Sequence, residues 1–103
     1  MLRSLWPNLK DREVVEGTRV WAEREGVEAE VVFDGPAPVG GIGTGAESAD
    51  DWIARRTGEL AAKGRPYWLV TSDRELRERA GGRAERVIGG GAFARILRDT
   101  LER

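Results

Sequence analysis

The chain has 103 residues, 40% of them apolar and 34% charged, with a formal net charge of −1. That supports one domain with many charges on solvated faces, and it argues against a strongly basic nucleic-acid binder while leaving a local basic face open. Cys and His are both absent, which excludes disulfides, thiolate nucleophiles, Ser-His-Asp catalysis and zinc sites built on thiolate or imidazole.

No apolar run approaches the ~18 residues that a membrane span needs. The first residues lack the basic-then-apolar pattern of a secretory signal, so a soluble cytoplasmic protein is expected. Residues 1–7 form a lead-in whose Leu2, Leu5 and Trp6 are suited to pack on the body. Pro7 and Asn8 are helix-start signals. From Leu9 to Glu25, Val14, Val15, Thr18, Trp21 and Ala22 recur at three- and four-residue spacing, which predicts a helix with one apolar stripe. Gly17 weakens that helix by roughly 1 kcal/mol relative to Ala, and Gly26 is suited to stop it.

Val27 to Phe33 predicts a strand, two-faced in its first half and apolar on both sides in its second, as in a covered parallel sheet. Asp34-Gly35 ends it. Residues 35–46 are a Gly/Pro-rich connection in which Val39 to Ile42 is long enough for a very short strand. Gly41-Ile42-Gly43-Thr44-Gly45-Ala46 only loosely fits a dinucleotide fingerprint. It neither follows its strand directly nor opens a helix, so a plain connection is expected.

Ser48 is a good N-cap for a second helix that carries Asp50 and Asp51 in its first turn and ends at Lys63-Gly64. Tyr67 to Thr71 predicts a strand opened by Pro66. Ser72 and Glu75 have the spacing of a capping box for a helix over residues 73–80, and Gly81-Gly82 ends it. Ala84 to Ile88 predicts a short strand, Gly89-Gly90-Gly91 a turn, and Ala92 to Leu101 a final helix with Phe93, Ile96, Leu97 and Leu101 on one face. This alternation predicts an α/β fold, a small parallel sheet with right-handed crossovers and helices on both faces.

In a parallel sheet the strand C-termini share one edge with the N-termini of the following helices. Asp34, Asp50, Asp51 and Asp73 are therefore expected on one rim. Carboxylates gathered without Lys or His between them repel unless a cation sits among them. Oxygen donors alone favour Mg²⁺ or Mn²⁺. Each Asp read singly is as well explained as a complement to a helix dipole. Ser72 is a cap first and a site hydroxyl second. Arg74 is close enough to the rim to meet a phosphate, whereas Arg55, Arg56, Arg65, Arg77 and Arg79 are expected on exposed helix faces, paired with Glu. The Trp residues belong to the core, with Trp52 the one candidate for base stacking.

Three motifs occur in order: Val-Val-Phe-Asp-Gly at 31–35, Glu-Ser-Ala-Asp-Asp-Trp-Ile at 47–53, and Val-Thr-Ser-Asp-Arg-Glu-Leu at 70–76. With the late strand and Phe93 they make residues 10–98 resemble the NYN branch of the PIN-like nucleases, the YacP-like group. The resemblance implies a single abridged domain over 1–103, with three α/β/α layers around a small parallel sheet. It implies a metal-dependent endoribonuclease acting on RNA with Mg²⁺ or Mn²⁺. Asp50 and Asp73 match the family's acidic positions as metal ligands, with Asp34 the less certain third; Asp51 is the neighbour that assists or positions water. Ser72 and Arg74 lie where substrate phosphate would be held.

The chain departs from the family in two ways. Leu2–Asn8 carries no Asp-Gly-x-Asn, the motif of the family's first strand and of a principal metal ligand. The strand that precedes the Ser-Ala-Asp-Asp helix is reduced to the 35–46 loop. A sheet lacking one strand exposes an edge that natural proteins cover or pair, so a homodimer or a partner strand is expected there. The missing Asp also supports a different reading, a catalytically deficient NYN-like module that binds RNA or protein. A third is a small α/β domain unrelated in function.

Overall fold

The structure, a computed structural model, describes residues 9–102. The lead-in residues Leu2, Leu5 and Trp6 and the helix-start signals Pro7 and Asn8 lie outside them. The described order is α1 (Asp11–Glu25), β1 (Val32–Phe33), β2 (Ile42–Gly43), α2 (Ala49–Ala62), β3 (Trp68–Val70), α3 (Arg74–Ala80), β4 (Arg86–Ile88) and α4 (Gly90–Leu101). Among the described residues the strands form two separate parallel pairs, β1 with β2 and β3 with β4. The molecule is thus mixed α/β, with parallel pairing as expected, but the single sheet is replaced by two.

Helix α1 starts where the Glu13 carboxylate accepts the Lys10 N–H at 2.9 Å. It stops at Gly26, whose φ of 71° is the left-handed conformation that favours glycine. Gly17 is more than a weak point of that helix. It is buried, and a Cβ there would lie 3.2 Å from Leu97 Cδ2, so its missing side chain lets α4 approach α1 closely.

The strand expected over Val27 to Phe33 pairs only at Val32 and Phe33, in register with Ile42 and Gly43. Among the described residues its ladder partner is β2, which is two residues long. The short strand of the Gly-rich connection lies later than Val39, which is 99% exposed; the turn closed by the Gly41 N–H to the Pro38 carbonyl (2.9 Å) comes before it. The region before α2 is therefore a short parallel strand as well as a loop.

Two clusters hold the elements together. In one, Val14 of α1, Val31, Phe33, Ile88 and Phe93 and Leu97 of α4 are buried, with Trp21, Trp68 and Val70 packed against them. Trp21 meets Phe93 edge-on at 5.0 Å and Trp68 at 5.9 Å, arrangements that suit the ring quadrupoles. The second cluster joins Leu69 to Leu76 and Ala80 of α3 and to Ile53 of α2. Along β3, Trp68 and Val70 thus side with α1 and α4 while Leu69 sides with α3, the alternation of a strand covered on both faces.

The final helix begins at Gly90 rather than Ala92. The glycines expected as a turn supply its N-cap and first residues. A Cβ on Gly90 would overlap Ser72 Oγ, so the early start is possible because that residue has no side chain. No helix among the described residues is long and apolar enough to cross a membrane.

Candidate functional site: an acidic rim at two helix starts

Helix α2 is capped twice. Ser48 Oγ accepts the Asp51 N–H at 3.0 Å, as its spacing predicts, and Asp34 Oδ1 accepts the Ala49 N–H at 2.7 Å. The Asp that ends β1 is thereby fixed on the start of α2, fifteen residues later in the chain. Each bond satisfies an N–H that the helix itself leaves unpaired.

Helix α3 is capped one residue later than its Ser-x-x-Glu spacing suggests. Asp73, in extended conformation, accepts the N–H groups of Glu75 (2.8 Å) and Leu76 (3.2 Å) on its Oδ1. The buried Thr71 sets this frame, because its hydroxyl accepts the Asp73 N–H at 3.0 Å and turns the chain before the helix begins. Ser72 is not the cap; it is exposed and abuts the start of α4 at Gly90.

Asp34 and Asp73 both lie close enough to Asp50 to disturb its ionisation. The Asp50 carboxyl is held above the ordinary value of 3.8, first by burial, then by Asp73, with a smaller push from Asp34 and an opposing pull from Arg79. No hydrogen bond or ion pair fixes that carboxyl among the described residues. Of the four carboxylates expected on one rim, Asp34, Asp50 and Asp73 share one electrostatic environment, with Asp34 and Asp73 just past the C-terminal ends of β1 and β3 and Asp50 in the first turn of α2. As the side chains stand, no three acidic groups among the described residues come close enough to enclose a metal ion. In kind, the donors are oxygen only, which suits a hard cation.

Asp51 faces elsewhere. Its carboxylate pairs with Arg79 at 2.9 Å, tying α2 to α3 on an exposed surface. Arg79 carries no signal in the sequence that separates it from its neighbours, since its partner is twenty-eight residues away. Arg55 and Arg56 likewise reach beyond their own helix, to Glu47 at 2.7 Å and Glu30 at 3.0 Å, although Arg55 also meets Glu59 one turn on at 3.6 Å. Arg74, the first residue of α3, is exposed and makes no ion pair among the described residues. Trp52 is half-buried, with the Arg55 guanidinium 5.9 Å from its ring.

The Gly-rich connection behaves as a structural turn. The Thr44 hydroxyl donates to the Phe33 carbonyl at 3.2 Å and accepts the Gly35 N–H at 3.4 Å, closing the loop on β1. No family model matches the chain, and no curated protein or solved structure matches it.

Proposed function

We propose that the chain is an abridged NYN/PIN-like domain with α/β/α layering, and that it is a Mg²⁺- or Mn²⁺-dependent endoribonuclease. The observation that carries this reading is the Asp50 carboxyl, raised by burial beside Asp73 and Asp34. A partly buried carboxyl among like charges is a situation that a bound cation relieves. Asp50 and Asp73 would hold the ion, with Asp34 the third oxygen donor. Asp73 and Asp34 each use one carboxylate oxygen as a helix cap, which leaves the other available and holds both side chains in place. When bound, such an ion activates water and stabilises the leaving oxygen of a phosphodiester.

The chain's own groups divide the remaining work. Arg74, exposed beside Asp73, offers a guanidinium to an RNA phosphate, and Ser72 offers a hydroxyl on the same turn. Asp51 is spoken for by Arg79, so its contribution is to position that guanidinium near Asp50 rather than to handle water.

A second reading, an RNA- or protein-binding module without activity, is favoured by the spacing of the acidic groups among the described residues, too wide to enclose an ion as they stand. The two separate in one assay, cleavage of single-stranded RNA with and without Mn²⁺ by wild type, Asp50→Asn and Asp73→Asn. Asparagine still caps a helix, so Asp73→Asn keeps α3. The enzyme reading expects Mn²⁺-stimulated cleavage and a loss of at least ~100-fold in both variants, since even the groups that orient metal ligands contribute 10–100-fold. Wild-type protein that binds RNA but leaves it intact at every metal concentration would sink the enzyme reading in favour of the binding module.

A further inference from the structure

Helix α3 carries Arg74, Arg77 and Arg79, and helical geometry sends them to different neighbours. Successive residues of a helix are turned by about 100°, so Arg77 and Arg79 leave α3 on opposite flanks, with the buried Leu76 and Ala80 between them. Arg79 reaches α2, where Asp51 pairs with it at 2.9 Å. Arg77 turns the other way, toward the start of α4. Its Nη2 lies 3.9 Å from where a Cβ on Gly89 would be. Arg74, three residues earlier, shares the flank of Arg77.

Arg74 and Arg77 are exposed and make no ion pair among the described residues, although Glu75 and Glu78 share their helix. The arginines of α2 differ: Arg55 is taken by Glu47 and Glu59, and Arg56 by Glu30. Ser72, on the turn before α3, is exposed, abuts Gly90 and makes no hydrogen bond through its hydroxyl among the described residues. Three donors without acceptors thus converge where the turn after β3 meets the start of α4.

The outer face of α4 extends this group. Phe93 and Leu97 take the buried face of that helix. On the other face Gly91 looks onto open space, and Arg95, one turn further, is exposed and makes no ion pair among the described residues. The first turn of α4 holds no acidic residue, and its first carboxylate, Asp99, comes one turn after Arg95. Ser72, Arg74, Arg77 and Arg95 therefore form a row that begins beside Asp73 and crosses the start of α4.

We propose that Arg77 and Arg95 hold the phosphates next to the one at Ser72 and Arg74, so that a single strand of RNA leaves the acidic rim across the start of α4. The inference rests on the reading of the rim as the place where RNA is handled, and it adds the path of the strand over the fold. Guanidinium contacts to phosphate position a strand without reading its bases, so the path serves RNA of any sequence. The arginines of α2 lie off the path because their own carboxylates already hold them.

The test measures binding of a fluorescent single-stranded RNA to the full chain by anisotropy, in EDTA, over a series of salt concentrations. Each phosphate contact to a single strand adds ~0.7 to the slope of log K against log salt. Arg77→Gln and Arg95→Gln should each lower the wild-type slope by ~0.7, with thermal melts unchanged because both side chains are exposed and glutamine suits a helix. Arg77→Lys should restore the wild-type slope, since it keeps the charge. Lys63→Gln, exposed at the far end of α2, should leave the slope as it is. An equal fall in slope for Lys63→Gln would mean a diffuse attraction and overturn the proposal. Wild-type slopes in both arginine variants would overturn it too; Mn²⁺-stimulated cleavage by those variants would then leave the nuclease reading standing. Lowered slopes in a protein that never cleaves RNA would uphold the path and remove the nuclease. No binding by wild type would overturn both.

Discussion

The Asp50 carboxyl titrates above the ordinary carboxylate value because it is partly buried and faces Asp73 and Asp34. An acid whose pKa is higher in the folded than in the unfolded state binds more protons when folded. Stability is therefore lost as the pH rises from the ordinary value through the raised one, and the ionised form works against the fold above it. Asp50→Asn should accordingly match wild type near about pH 3 and unfold at a higher temperature than wild type near about pH 7. Thermal melts at both pH values check this. On the proposed metal-dependent reading, adding Mg²⁺ or Mn²⁺ at neutral pH should raise the wild-type melting temperature and leave that of Asp50→Asn unmoved, by mass action on the ion site that the substitution would remove. The gathering of Asp34 and Asp73 around Asp50 was legible in the sequence; the burial that comes first among the causes was not, because it depends on how distant segments pack around the start of α2.

At the scale of single elements, caps and close approaches decide the boundaries. Ser48 caps α2 as its spacing predicts, since the bond spans only three residues. Ser72 fails to cap α3 because the Thr71 hydroxyl turns the chain and hands the role to Asp73. Both residues satisfy the local pattern, and only the path of the preceding strand separates them. The glycines show the same limit. Gly43 in β2 faces the backbone of the turn before it, and a Cβ there would lie 2.6 Å from the Gly35 carbonyl oxygen. That contact is with backbone, so no side-chain rotation relieves it. Gly43→Ala should destabilise the protein by ~1–3 kcal/mol, the usual range for overpacking, read as a lower urea midpoint at unchanged slope. From composition alone this stretch is only a flexible connection; its glycines are needed because two backbone segments meet there.

Across the molecule, α1 packs on α4, and Trp21 packs against Phe93 of α4 and Trp68 of β3, which ties both helices to the strands. Leu97 is fully buried, and its side chain lies against Gly17 across the helix pair. Leu97→Ala should cost ~2–5 kcal/mol, the range for a large-to-small change in a packed core. Against a total stability of ~5–15 kcal/mol that is a large fraction, so chemical denaturation should show a midpoint far below that of wild type. The exposed pairs of Arg19 with Glu16 and Glu23 lie on the outer surface, where water and salt screen them, and they add little to stability.

The class of every long element follows from the order of its residues. Helical periodicity in α1, α2 and α4 and the apolar run of β3 are properties of near neighbours, and packing in the fold agrees with them. Composition also dictates that any metal chemistry would have to rest on carboxylates, because no His or Cys is present. Folding alone settles that the strands form two pairs, that Asp51 is held by Arg79, and that the Thr18 hydroxyl lacks a hydrogen-bond partner among the described residues. The reason is the same in each case. Ladder pairing, ion pairing and hydroxyl satisfaction depend on groups brought together from distant parts of the chain, and each is settled by which partner arrives rather than by the residue's own propensity.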